Sequence, residues 1–314
     1  MPIVVRRCIL ILAALTAVLG ATACGERAEP LGELEQPYPV TVQGMGEQPA
    51  VLRAEPERIV ALDPGSAELV IALGARDRLV GIPGGVKQGD GPRMAPRDAV
   101  QVVSPNLAVR VDEVAALEPD LLVASSSTDQ LDLARAQRET GSAVYVQPSS
   151  SVEDILRATF ELGFLVGEPV EARAVASRIR SEVAAVEEQV ADSPVRTAFV
   201  DTGFFATVPL RSLLGDLVVR ARGESVAGDT PGAEPIPVAR LRRLDPEVYL
   251  ATSNSGVDLR TLRDDPRTAK LTAVENTRVV VLPSDLVQHP GPYVAQALER
   301  VARALHPDAF RSDR

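Results

Sequence analysis

Two nine-residue segments, LEPDLLVAS at 117–125 and LDPEVYLAT at 244–252, agree position by position although they lie in opposite halves of the chain. Each follows a stretch at helical spacing and leads into a Ser-rich loop. Short apolar runs of the same kind recur at 58–62, 79–82, 143–147, 197–201 and 278–282. Between them lie apolar residues three or four apart, such as Ala67, Val70, Leu73 and Val111, Val114, Ala115. Short buried strands alternating with helices predict parallel sheets covered on both faces. One region interrupts the alternation. From Ser151 to Asp192 there is no strand signal, only SVEDILRATFELGFLVG and then EPVEARAVASRIRSEVAAVEEQVAD. The second piece opens with acids and Pro169, good first-turn residues. It predicts a helix about 35 Å long at 1.5 Å per residue. The expected organisation is an N-terminal lobe (56–150), an interlobe helical segment (151–194) acting as a spine, and a C-terminal lobe (195–314), with a cleft between the lobes.

The N-terminus reads as a targeting segment. Arg6 and Arg7 precede an apolar run from Cys8 to Leu19 that is too short to span a membrane, and small residues follow it. Residues 1–23 are therefore expected to be a signal peptide. Cys24, just after Ala21-Thr22-Ala23, looks like the lipidated cysteine of a bacterial lipobox, with Ala21 where leucine is usual. The expected location is extracytoplasmic, with the membrane contacted through the lipid anchor only. Residues 24–55, polar and rich in Pro and Gly, read as a tether with an edge strand around Val40–Val42. Cys8 leaves with the signal, so no disulfide forms within one mature chain. Removing 1–23 leaves 31 basic and 43 acidic residues, a net charge of −12. Such a surface disfavours nucleic acid and anionic lipid as partners.

The strand ends supply the candidate binding residues, because α/β sheets bind ligands outside the carboxyl ends of their strands. Asp63-Pro64-Gly65-Ser66 follows the first strand of the first set, and Asp201-Thr202-Gly203 follows the first strand of the second. Ser66 is placed to cap the next helix, whose first N–H groups would meet a ligand acceptor. Asp63, Pro64 and Ser66 are candidates on that ground, with Thr202, Phe204 and Phe205 at the matching turn. Gly84, Ser126, Ser253, Asp285 and His289 occupy the ends of later strands. Of the Phe pair, one is expected to face ligand and the other the core. His306, in LHPDAF, reads as a packing or capping residue.

Enzyme chemistry finds little support. The chain has two histidines, and no G-x-S-x-G elbow, P-loop or G-x-G-x-x-G occurs; GIPGGVKQGDG is Gly-rich without the P-loop order. No resident cofactor or metal is expected, since two histidines without a mature partner cysteine make a poor ligand set.

Six segments in order carry a family resemblance. PERIVALDPGSAELVIALGARDRLVGI and VDEVAALEPDLLVAS resemble the first two units of the iron-siderophore/vitamin B12 class of periplasmic binding proteins. LRSLLGDLVVRARGESVAGD, RLRRLDPEVYLATSNS, LRDDPRTAKLTAVENTRVVVLPSD and VAQALERVARALHPDAF are similar to that class's C-terminal lobe. The resemblance implies two Rossmann-like lobes joined by a long rigid helix. It also implies a cleft ligand delivered to the permease of an ABC importer by a monomeric protein. A siderophore-like iron chelate is the ligand expected, because it brings its own metal ligands. Cobalamin and haem fit less well: there is no Trp, and Gly84-Gly85 and Leu286-Val287 stand where aromatic walls would be expected. Haem would need His289, Tyr293 or Tyr145 in the cleft. Lys87, Arg93, Arg97 and Arg211 are possible partners of an anionic chelate, each readable as a solvated surface charge. The acidic balance favours neutral or cationic hydroxamates over catecholates.

The resemblance also implies an acid on each lobe for permease docking. Asp112, with Glu113 beside it, supplies the first. The internal repeat puts Ala239 at the second position, before Arg240, Arg242 and Arg243, with Glu234 as the nearest substitute. That departure keeps a second expectation alive, an orphan lipoprotein of the same fold acting as sensor, scavenger or protein-interaction module.

Overall fold

The computed structural model describes residues 38–104, 108–228 and 235–311. The signal peptide, Cys24 and Glu234 lie outside them. The fold is α/β with two parallel sheets, each forming the centre of a lobe.

The first sheet has strands β3 (Ile59–Ala61), β4 (Leu79–Pro83), β5 (Val100–Val103), β6 (Leu121–Ser125) and β7 (Ala143–Gln147), in the order β5-β4-β3-β6-β7 and all parallel. The second has β8 (Arg196–Asp201), β9 (Gly223–Ser225), β10 (Val248–Thr252) and β11 (Val279–Leu282), ordered β11-β10-β8-β9, again parallel. The two segments that matched in sequence are β6 and β10 with their approaches. Both are buried along their whole length, which is why they read as unbroken apolar runs. In each sheet the connection reverses direction beside the first strand, between β3 and β6 and between β8 and β10. That reversal opens a crevice at the carboxyl ends of those strands.

The helices flank these sheets: α1 (Pro64–Ala72), α2 (Val111–Ala116) and α3 (Gln130–Thr140) in the first lobe. α6 (Leu213–Arg220), α7 (Val238–Leu244), α8 (Leu259–Asp264), α9 (Thr272–Glu275), α10 (Ser284–Val287) and α11 (Val294–Leu305) belong to the second. Between the lobes run α4 (Val152–Leu165) and α5 (Pro169–Gln189). The spine is thus a helical hairpin, in which α4 changes allegiance along its length. Val152 and Ile155 pack into the second lobe's core, whereas Ala158, Leu162 and Leu165 pack into the first. α5 does the converse, with Ala172 in the first core and Val175, Ile179 and Val183 in the second. A side chain at Gly163 would put its Cβ 2.3 Å from that of Ala172, so glycine sets how closely the two helices approach.

The expected tether ends earlier than residue 55. β1 (Val40–Val42) and β2 (Ala50–Leu52) form an antiparallel hairpin, with Val40, Ala50 and Leu52 buried in the first lobe's core. The Gly-rich turn of that hairpin reaches β7, where Met45 N–H donates to the Val146 carbonyl at 2.7 Å. Burial against the lobe, rather than strand pattern, holds this segment in place.

Among the described residues no helix is long and apolar enough to cross a membrane.

Candidate ligand cleft

The loops after β6 and β7 face the segment that leads into α6 and the one that follows α10. Together they enclose a cavity of about 290 Å³ between the lobes. The first lobe lines it with Ser125, Ser126, Ser127, Ser149 and Ser150. The second supplies Arg211, Ser212, Gln288 and Pro290, with an apolar floor of Val208, Leu213, Leu214 and Val287. Ser125 and Ser127 share a hydrogen bond at 2.8 Å, as do Ser126 and Ser149. These bonds fix the positions of the hydroxyls while leaving them further donor and acceptor capacity. Ser212 caps α6, accepting from Gly215 N–H, and Ser151 caps α4 in the same way through Asp154 N–H. The N-termini of both helices thus abut the cavity and add positive potential to that of the exposed Arg211. The wall is rich in hydroxyls, carries one guanidinium and has no aromatic ring. Such a wall suits a ligand whose exterior is mostly oxygen.

The opening turn of the first lobe has a different task. The Asp63 carboxylate accepts from Ser66 N–H at 3.0 Å and from Ser66 Oγ at 2.5 Å, and both residues are buried. Asp63 is therefore the N-cap of α1, and Ser66 spends its hydroxyl on that cap. The expectation that either touches ligand is corrected: their polar groups are used on each other, and the turn is covered. The cover is the loop around Pro290. A Cβ on Gly65 would lie 2.4 Å from the Pro290 carbonyl oxygen, and the buried Gln147 Nε2 donates to that same oxygen at 3.1 Å. The two lobes touch here, closing one side of the cleft. Burial pushes the Asp63 carboxyl up and the His289 imidazole down, His289 against the pull of Asp63 and Asp285. Glu68, behind the turn, is raised to about 7 by burial and by the nearby Asp285 and Asp63 carboxylates.

The matching turn of the second lobe repeats this logic with other partners. Asp201 is buried, accepting from Gly203 N–H at 2.7 Å and from the Tyr249 hydroxyl. Burial raises its carboxyl above the usual range. Thr202 Oγ1 donates within its own loop to the Ala206 carbonyl. Phe204 and Phe205 both take positive φ, 52° and 61°, uncommon for bulky residues. Phe205 packs against the second lobe's core, whereas Phe204 is 88% exposed, four residues before Val208 of the cavity wall.

Of the ligand candidates named from sequence, Ser126 and Arg211 line the cavity. Pro64 sits in the covered turn, and Gly84 N–H donates to the Val103 carbonyl outside the cavity. Ser253 shares a hydrogen bond with Ser284, Asp285 is exposed, and His289 is flanked by the lining residues Gln288 and Pro290. Tyr145 is buried away from the cleft, its hydroxyl donating to Glu161 at 2.7 Å. His306 bonds the Ala221 carbonyl at 3.0 Å, the packing role read for it. The serines of 125–127 and 149–150 follow strands, so the loop rule that picked Ser126 would have found them all. Arg211 is one of four cations the sequence offers an anionic chelate, and the strand-end rule does not rank it above the other three.

On the outer surface, Asp112 is exposed in the first turn of α2, and Glu113 pairs with Arg110 at 3.2 Å. The first turn of α7 holds no acid. Ala239 is exposed there, with Arg240, Arg242 and Arg243 exposed after it.

Two parallel α/β lobes, bridged by a helical hairpin and facing each other across a polar cavity, define a binding protein of the two-lobed cleft type. The chain belongs to the periplasmic binding protein family, whose profile matches residues 59–286. It is 23% identical over 313 residues to an ABC transporter substrate-binding lipoprotein, YvrC, of Bacillus subtilis, covering 95% of this chain and 97% of that one. A cobalamin-binding protein of Halobacterium salinarum is 26% identical over 282 residues, 86% of this chain and 74% of the other. Among solved structures, a possible iron-binding periplasmic solute-binding protein of Staphylococcus epidermidis superposes with a TM-score of 0.69. That match has 18% identity and covers 81% of this chain and all of the other.

Proposed function

We propose that the chain is an extracytoplasmic solute-binding lipoprotein of an ABC importer, and that its cleft takes a metal chelate with an oxygen-rich exterior, of siderophore type. The observation that carries this reading is the serine-lined cavity with Arg211 at its edge. Hydroxyls and a guanidinium match peripheral carbonyl and hydroxamate oxygens, and the chelate supplies the metal's own ligands. The similarity to a substrate-binding lipoprotein supports the importer role. The named relatives also include a cobalamin binder, so a corrinoid is the competing ligand.

Native mass spectrometry of protein purified from its own host identifies what the cleft retains. Calorimetry with that ligand then tests the wall. Arg211→Gln is expected to weaken binding tenfold or more, since a charge-assisted hydrogen bond is worth about 1.5–3 kcal/mol. Phe204→Ala, at an exposed side chain outside the cavity lining, is expected to leave affinity and melting temperature unchanged, while Phe205→Ala costs stability through its core contact. Retention of a corrinoid, or full affinity in Arg211→Gln, overturns the chelate reading.

The anchor is tested separately. Cys24→Ala is expected to move the protein from the membrane fraction to the medium, because its acyl chains contribute about 0.8 kcal/mol per buried CH₂. An unaltered membrane fraction would remove the lipobox.

Delivery rests on surface charge, which steers association and fixes register. Asp112→Ala with Glu113→Ala is expected to impair uptake with ligand binding intact, and Ala239→Glu to improve it. Glu234→Ala gives a smaller defect if Glu234 serves the second lobe. The arginines around Ala239 favour the second reading, an orphan binding lipoprotein whose partner is not a standard permease. Uptake indifferent to all of these variants would select it.

A further inference from the structure

A second cavity, about 190 Å³, lies apart from the cleft. Its walls come from three parts of the fold: Pro92 and Arg93 of the first lobe, Arg178 and Glu182 of α5, and Tyr293 and Gln296 at the start of α11. The Arg93 guanidinium lies over the Tyr293 ring, 5.7 Å from its centroid, an arrangement that orients the guanidinium without neutralising it. Neither Arg93 nor Arg178 has a carboxylate within ion-pair distance among the described residues, and Glu182 is likewise unpaired. About half of the other described arginines do have such partners, Arg97 with Asp90 and Arg157 with Asp154 for example. Two unpaired guanidiniums, one acid, a phenol and a carboxamide therefore surround one space. Burial and the Glu68 carboxylate raise the Tyr293 phenol, so it remains a neutral donor.

We propose that this cavity is a second binding site, for a small hydroxycarboxylate. Two guanidiniums from different parts of the fold supply planar, multiple N–H donors for carboxylate oxygens. Glu182 and Gln296 supply acceptors for the hydroxyl. At about 30 Å³ per water the space has room for roughly six waters, the scale of a four-carbon acid rather than of a chelate. An occupant would tie the first lobe's 92–93 loop to the spine and to α11. The segment that covers the opening turn of the first lobe, Gln288–Tyr293, has Gln288 and Pro290 in the cleft and Pro292 and Tyr293 here, so one loop separates the two cavities.

The probe is malate, with succinate as the partner lacking the hydroxyl. Malate at a hundredfold excess over its Kd is expected to raise the melting temperature of the full mature protein by about 5 °C, with a smaller rise for succinate. Arg178→Gln and Arg93→Gln are expected to abolish the shift, and calorimetry to show the matching loss of heat. Arg211→Gln should leave it intact, which separates this site from the cleft. The absence of any shift or heat with malate overturns the proposal, as does a response lost in Arg211→Gln but retained in Arg178→Gln. Failure of the cleft variants to affect chelate binding would leave this result unchanged.

Discussion

An Arg220→Met variant is expected to lose about 2–4 kcal/mol of stability, read as a lower urea midpoint with an unchanged slope. Arg220 ends α6, and its side chain is only 19% exposed. It pairs with Glu153 of α4, with Glu187 of α5 at 2.6 Å and with Asp216 one turn back at 2.9 Å. Asp216 Oδ2 in turn accepts from Val152 N–H at the start of α4, so one guanidinium gathers both helices of the spine onto the second lobe. Methionine keeps much of the aliphatic packing but leaves three carboxylates facing one another. Burial works against ionisation of Glu153, but the Arg220 hydrogen bond outweighs it and holds that carboxyl below its usual range. A carboxyl depressed in the folded state stabilises above its unfolded pKa and loses that contribution as pH falls through the folded value. The defect of the variant is therefore expected to be full at neutral pH and to narrow below about pH 4.5 as the carboxylates protonate. A defect of equal size at pH 4 and pH 7 would show that packing, not charge, is what Arg220 provides.

Gly65→Ala offers the second large effect, with a sign opposite to the usual one. In a helix interior, replacing glycine by alanine ordinarily stabilises by about 1 kcal/mol. Gly65 lies in the first turn of α1, where an added Cβ meets the carbonyl oxygen, carbon and nitrogen of Pro290 at 2.4, 2.7 and 3.1 Å. All three are backbone atoms, so no side-chain rotation relieves the contact and the lobes must separate locally. Overpacking of this kind costs about 1–3 kcal/mol. The melting temperature should fall, and proteolysis within 288–292 should speed up because the loop loses its seat. A raised melting temperature for Gly65→Ala would mean that the lobes do not touch at Pro290.

These two sites also show where sequence reasoning reached and where it stopped. β6 and β10 were legible because a strand buried on both faces leaves a run with no polar break. The spine was legible as a long stretch without any such run. β2, β5 and β9 were not, for strands of three or four residues carry too few alternations to register, and their neighbours hold them in place. In the site, strand ends pointed to Ser126, which lines the cavity. They misdirected at Asp63 and Ser66, since an N-cap and a ligand contact demand the same residue types at the same position. Only the 3.0 Å bond to Ser66 N–H and the Pro290 cover tell the two apart. Arg211 was one of four cations named for an anionic chelate and nothing ranked it above the others, because an arginine in a loop looks the same whether it faces solvent or a cavity.

The spine hairpin has a further consequence for how a loaded molecule differs from an empty one. Because α4 and α5 each belong to both cores, swinging the lobes apart would pull buried apolar side chains from their seats, at roughly 1.5–3 kcal/mol for each one exposed. Wide opening is thus costly, whereas shifts of loops at the rim leave both cores intact. On that ground the empty and filled forms are expected to present almost the same silhouette to whatever receives them. A partner that must distinguish cargo from no cargo has to sense small changes in the stiffness or position of surface loops, or else to sample both forms and release the empty one.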